Sequence, residues 1–235
     1  MTFDAVVLAG GRAQRLGGTD KGSVVVAGRA LVDHALAAVA DASALVVVGP
    51  PSVARPGVLT VQESPPFGGP VAGLAAGLTA LVATPAVEDA VPGDEEPAQR
   101  TGAAPDASVA AGDAGDPLVV VLACDVPGAA RVVPALVAAA LAAPEADGAR
   151  LVAGDGSPQH LVAAYRRSAL DAALAALPDG PRDASVRRLV AGLRLVDVRD
   201  PDDAAADADT WDDVRLLDAR LSGGTIDPDD DRRTP

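Results

Sequence analysis

The apolar run Ala5-Val6-Val7-Leu8-Ala9 stops at Gly10-Gly11, and the edge between that run and the glycine-rich loop behind it constrains the chain more than any other stretch. Five residues without a polar side chain suit a strand covered on both faces, the habit of parallel sheets flanked by helices. The loop that follows carries Arg12, Arg15, Asp20 and Lys21 before Gly22. Backbone N–H groups bared by glycines can face an anion, so such a loop reads as a phosphate cradle. Lys21 is the only lysine among the 19 Lys and Arg residues. Here alone the chain uses a compact ammonium in place of a planar guanidinium. The loop is neither GxxxxGK[ST] nor GxGxxG, because its glycines fall at 10, 11, 17 and 18.

Further strands are expected at 45–49, 58–61, 118–123, 151–153, 161–165 and 193–198, with a short extended piece at 22–26. Helical spacing marks 31–40, 71–82, 131–142, 166–177, 185–191 and 211–221. This alternation predicts an α/β protein with a mostly parallel, doubly wound sheet. Leu118–Ala123 is the most apolar run and reads as a central strand, ending in Cys124-Asp125. A carboxylate there lies where open α/β sheets bind ligands. Gly69, Gly73 and Gly77 strip one helix face of bulk, which serves either close packing on the sheet or the approach of a ligand. Thr210 is placed to cap the last helix, with Asp213 three residues on.

The 235 residues fit one domain over residues 1–221. Residues 84–117, rich in Pro, Gly, Ala and acids without a sustained period, are expected to be a disordered insertion, and 222–235 an acidic, frayed tail. The net charge of −14 resides in 84–117 and 200–235, so the body is near neutral and the acidity bears on solubility rather than on a cationic partner. Aromatic residues make up 2% of the chain, too few for the base-stacking platforms of single-strand binders, so no nucleic-acid partner is expected. The single cysteine, Cys124, excludes an internal disulfide and fits a reducing compartment. No basic n-region opens the chain, and no apolar run reaches the roughly 20 residues a membrane span needs. A cytoplasmic protein is expected.

The stretch LAGGRAQRLGGTDKG resembles the signature LAGGxxxRxGxxDK of the nucleotidyltransferases that join a nucleotide to the molybdenum cofactor, the guanylyltransferases in particular. The resemblance continues at Gly69-Pro70-Val71-Ala72-Gly73 and Ala123-Cys124-Asp125-Val126-Pro127, then more weakly at Gln159 to Arg166 and at Asp207-Ala208-Asp209-Thr210. It implies the Rossmann-like sheet of nucleotide-diphospho-sugar transferase-like enzymes and the transfer of GMP from GTP to the phosphate of molybdenum-molybdopterin, releasing pyrophosphate. By the same resemblance Leu8, Ala9, Gly10 and Gly11 would meet the nucleoside, with Gly69, Pro70 and Gly73 also in the nucleotide site. Arg15 and Lys21 would hold the triphosphate, Asp125 would hold Mg²⁺, and Asp209 is a candidate second metal contact. Glu63 falls where the family has its purine-contacting acid, and Gly49 where it has an asparagine. Gln159 and His160 fall in the pterin region, and transient contact with cofactor-delivering proteins or molybdoenzymes is conceivable for such an enzyme. LAGG favours guanine, since cytidylyl relatives more often carry LAAG, whereas Asp209 is shared with them. The alternatives are a cytidylyltransferase for that cofactor, a sugar- or polyol-phosphate nucleotidyltransferase, and a non-catalytic nucleotide binder. Cys124 and His34 read as structural, and Arg182, Arg187 and Arg188 as a solvated face or a contact for an anionic pterin.

Overall fold

A computed structural model of the protein describes residues 2–11, 20–83, 116–200 and 203–223. Arg12, Arg15, nearly all of the expected insertion and the tail beyond residue 223 lie outside the described residues.

The strands are β1 (Phe3–Leu8), β2 (Val25–Val26), β3 (Arg29–Ala30), β4 (Leu45–Val48), β5 (Leu59–Val61), β6 (Leu118–Ala123), β7 (Gly148–Val152), β8 (Pro158–Arg166) and β9 (Leu195–Arg199). The helices are α1 (Leu31–Ala38), α2 (Pro70–Ala83), α3 (Val133–Ala142), α4 (Arg167–Ala175), α5 (Val186–Leu189) and α6 (Trp211–Leu221). Seven strands form one sheet in the order β5-β4-β1-β6-β8-β7-β9, and β2 and β3 make a separate antiparallel pair. β4 and β6 both pair parallel with β1, and β5 parallel with β4. Only β8 runs against its neighbours. The sheet is mostly parallel and helices cover both faces, as the alternating pattern predicts.

Alternation along β1 and β6 divides the core. Ala5, Val7, Val120 and Leu122 face α1 and α3 in one cluster, and Val6, Leu8, Val119 and Val121 face α2, α4 and α5 in the other. No polar or charged residue is buried among the described residues. A third, smaller cluster joins Val24, Val26 and Leu31 to Ala208, Val214 and Leu217, so α6 packs against β2 and the start of α1.

The bounds of several elements differ from the sequence reading: β7 starts at Gly148 instead of 151, and β9 spans Leu195–Arg199 instead of 193–198. A 3-10 turn at Lys21–Ser23 takes the start of the expected extended piece, because the Asp20 side chain accepts from the Gly22 N–H and caps it, and Val25–Val26 remains extended as β2. The strand expected at 161–165 starts at Pro158 and forms a hairpin with β7, its alternation hidden by the polar Gln159 and His160. The expected cap at Thr210 is a full capping box: Thr210 Oγ1 accepts from the Asp213 N–H, and the Asp213 carboxylate accepts from the Thr210 N–H.

Candidate active site

β1 has β4 on one side and β6 on the other, so the sheet changes direction of winding at β1. Crevices open beyond the carboxyl ends of strands at such a point. The ladders there run one residue past the strands: the Ala9 N–H donates to Val48 O at 2.8 Å and the Cys124 N–H to Leu8 O at 3.0 Å. The cleft beyond has a volume of about 290 Å³, and its walls include Leu8, Gly10, Gly11, Glu63, Gly69, Pro70, Gly73, Lys21 and Asp125. Ala9 is not in the wall; it is buried in the core on the α1 and α3 side.

Lys21 and Asp125 come from distant chain segments and meet. Lys21 Nζ donates to Asp125 Oδ2 at 2.6 Å and also to Asp209 Oδ1. Asp20 fixes the turn beneath Lys21, and its Oδ2 accepts from Ser52 Oγ in the β4–β5 connection. Gly22 leaves no room for a side chain, since a Cβ there would stand 2.6 Å from Val53 Cγ1. Asp209 precedes the capping box of α6, and the Ala208 N–H donates to Asp125 O at 2.9 Å. Lys21 and Asp125 are largely covered, with side chains 15% and 20% exposed, whereas Asp209 is 41% exposed. Burial works against the Lys21 ammonium, but the charge and hydrogen bond of Asp125, with those of Asp209, outweigh it and hold Lys21 protonated above its ordinary value. Burial foremost, then the charges of Asp209 and Asp125, raise the Asp207 carboxyl.

Among the described residues no three His, Cys, Asp or Glu side chains gather as a metal cage. Two hard carboxylates already converge on one cation, the Lys21 ammonium, and that donor set fits Mg²⁺, which takes one or two carboxylates and completes its shell with phosphate oxygens and water. Asp125 and Asp209 are the residues that could hold it.

The three glycines divide their work. A Cβ at Gly77 would stand 2.6 Å from Val6 Cγ1 and 2.9 Å from Val48 Cγ2, so this position serves close packing of α2 on the sheet. At Gly73 the nearest atoms, Leu8 Cδ2 and Val48 Cγ1, are at 3.4 and 3.5 Å, and the position also lines the cleft. Gly69 adopts φ +86°, left-handed backbone that favours glycine, directly before α2. Gly49 is likewise a packing position, because a Cβ would stand 3.1 Å from the Ala9 carbonyl and 2.9 Å from Val53 Cγ2. The Glu63 carboxylate lines the cleft while its Oε1 accepts from the Phe67 N–H at 2.9 Å.

Phe67, Val48, Ala123, Cys124 and Leu161 complete the wall and were not singled out for it by sequence. Ala123 and Cys124 belong to the motif that ends in Pro127 and Leu161 to the weaker stretch 159–166, while Phe67 is marked as one of two phenylalanines, set between Pro65-Pro66 and Gly68-Gly69. Cys124 is buried, and burial foremost pushes its thiol well above the ordinary range. His34 Nε2 lies 2.8 Å from Val26 O and ties α1 to β2. Arg182 donates to Pro65 O at 3.0 Å, bracing the loop before α2. Burial, then the Arg150 and Arg187 charges, keep His160 below its ordinary value, and its Nδ1 is buried without a hydrogen-bond partner.

A glycine-lined cleft at the carboxyl ends of parallel strands, with an ammonium and two carboxylates at its mouth, is the kind of site nucleotide-binding α/β enzymes build. The family model for the MobA-like NTP transferase domain matches residues 5–198, and the chain belongs to that family. A molybdenum cofactor guanylyltransferase of Burkholderia ambifaria is 31% identical over 233 residues, covering 92% of this chain and 95% of the relative. The solved structure of molybdopterin-guanine dinucleotide biosynthesis protein A from Archaeoglobus fulgidus shares the fold with a TM-score of 0.61 at 20% identity, covering 95% of this chain and 100% of that one. The 2-C-methyl-D-erythritol 4-phosphate cytidylyltransferase of Thermus thermophilus matches with a TM-score of 0.58 at 20% identity, again over 95% and 100% of the two chains. No helix among the described residues is long and apolar enough to cross a membrane.

Proposed function

We propose that this nucleotidyltransferase is a cytoplasmic, Mg²⁺-dependent enzyme that transfers GMP from GTP to the terminal phosphate of molybdenum-molybdopterin, releasing pyrophosphate. The observation that carries the reading is the meeting of Lys21 with Asp125 and Asp209 beside the cleft, in a chain 31% identical to a guanylyltransferase over 92% of its length.

In this reading the guanosine lies in the cleft between Leu8, Gly10 and Gly11 on one side and Gly69, Pro70 and Gly73 on the other. Guanine presents N–H donors at N1 and N2, and Glu63, an acceptor-only carboxylate, is the residue that reads them. Lys21 binds the phosphates, with Arg15 of the opening loop as a second cation. Asp125 and Asp209 would hold Mg²⁺, which would supply neutralisation of phosphate charge. The acceptor phosphate is already anionic, so no strong general base is needed. One of its oxygens forms a bond to the α-phosphorus of GTP, the α–β bridging P–O bond breaks, and the electron pair leaves on pyrophosphate. Catalysis is then positioning and charge neutralisation in a partly dry site.

The test is to incubate the protein with Mg²⁺, GTP and molybdenum-molybdopterin and identify the product by mass. Guanylylated cofactor with release of one pyrophosphate is expected; cofactor recovered unchanged overturns the reading.

A further inference from the structure

We infer that Lys21 is a tethered stand-in for the divalent cation: before nucleotide binds, its ammonium holds the place between Asp125 and Asp209, so the metal enters only together with a triphosphate that draws the lysine away. This rests on the proposal above that the site takes a nucleoside triphosphate with Mg²⁺.

Two carboxylates 84 residues apart in the chain approach one point, and without a cation between them they would repel. Lys21 Nζ answers both, donating to Asp125 Oδ2 at 2.6 Å and to Asp209 Oδ1. A divalent ion bound to the same pair would lie beside an ammonium of like charge, so the two cations compete for one place. The backbone under Lys21 is held by the Asp20 cap and by the close approach of Gly22 to Val53. Its four-carbon stem is not so confined and can carry the charge from carboxylate to phosphate. The arrangement is open to an incoming ligand, because Asp209 is 41% exposed and Lys21 lines the cleft. A triphosphate offers Lys21 richer partners than two carboxylates and gives the vacated metal position its remaining oxygens. Metal and nucleotide therefore favour one another's binding, and by linkage the coupling is equal in both directions.

The experiment uses the full chain and Mn²⁺ as probe, read by electron paramagnetic resonance without nucleotide. Lys21→Met is expected to bind Mn²⁺ at least tenfold more tightly than the natural protein, and adding Asp125→Asn to it should abolish the gain. Equal or weaker binding by Lys21→Met overturns the inference. A second measurement needs no variant: Lys21 is the chain's sole lysine, so ¹⁵N-lysine labelling yields one side-chain signal. Mg²⁺ alone at millimolar concentration should leave that signal in place, and Mg²⁺ with a non-hydrolysable GTP analogue should move it. Displacement by Mg²⁺ alone overturns the inference. So does an unmoved signal in a protein that still guanylylates molybdopterin, and in that case the proposed function stands. A signal moved by a CTP analogue and not by the GTP analogue keeps the stand-in role and overturns the guanine reading.

Discussion

The Ala208 N–H donates to the carbonyl of Asp125 at 2.9 Å, joining the end of β6 to the approach of α6 across a long gap in sequence. Asp209, the next residue, is thereby set beside Asp125 while Thr210 starts the helix. Stability of the helix cap and geometry of the site are one problem here. Thr210→Ala should cost about 1 kcal/mol, the usual loss for a side-chain cap, measured by urea denaturation. It should also slow turnover by loosening Asp209 from Lys21. Full stability in the variant would contradict the role given to the capping box.

Lys21→Ala and Asp125→Asn should each lower kcat by roughly 10²–10³-fold, about 3 to 4 kcal/mol of transition-state stabilisation, the scale for removing one preorganised electrostatic group. Steady-state kinetics, with circular dichroism to confirm folding, would check this. Both side chains are partly exposed at the cleft rather than in the core, so the fold should survive either change.

Gly73 and Gly77 should answer the same substitution in opposite ways. At Gly77 a methyl meets Val6 at 2.6 Å and Val48 at 2.9 Å, so Gly77→Ala should destabilise by about 1–3 kcal/mol through overpacking. At Gly73 the neighbours stand at 3.4 and 3.5 Å, so Gly73→Ala should hold or gain stability, up to the roughly 1 kcal/mol of helix propensity. Its effect should appear instead as a raised KM for the nucleotide, because the methyl enters the cleft. Thermal melts and nucleotide titrations on the two variants separate these outcomes.

Much of the frame was legible because each strand is a local apolar pattern. Leu118–Ala123 reads as a central strand directly, and Asp125 follows from its place after it. The resemblance put Lys21, Asp125 and Asp209 in one site, but their direct hydrogen bonds were not legible, since contacts across 104 and 188 residues depend on sheet order. Sequence had assigned Lys21 to phosphate and Asp125 to metal without pairing them. Gly49 was hidden for another reason: what matters there is the space denied by the Ala9 carbonyl and Val53, and an absent side chain leaves no pattern. The start of β8 was not legible because Pro158, Gln159 and His160 are not fully buried and carry no apolar alternation; hairpin pairing with β7 extends the strand there.

Asp147 gives a pH signature. The Arg194 backbone N–H, 2.8 Å from its Oδ2, is the main cause holding its carboxyl below the ordinary 3.8. The folded state binds this proton less tightly than the unfolded chain. Its contribution is therefore present above about pH 4 and is lost as the pH falls through the lower folded value. Asp147→Asn keeps an acceptor but loses the charge, so it should be destabilised by roughly 1 kcal/mol or less at pH 7. The two proteins should converge in stability as the pH falls through that lowered value, and a constant difference across acid urea titrations would contradict the assignment.

The most direct test compares GTP, CTP and ATP as donors. With Mg²⁺ and molybdopterin carrying its metal, pyrophosphate release is followed for each nucleotide and expressed as kcat/KM. The account predicts that GTP exceeds the other two by at least tenfold, and that release requires the cofactor. A preference for CTP, or release that needs a sugar or polyol phosphate in place of the cofactor, would contradict it.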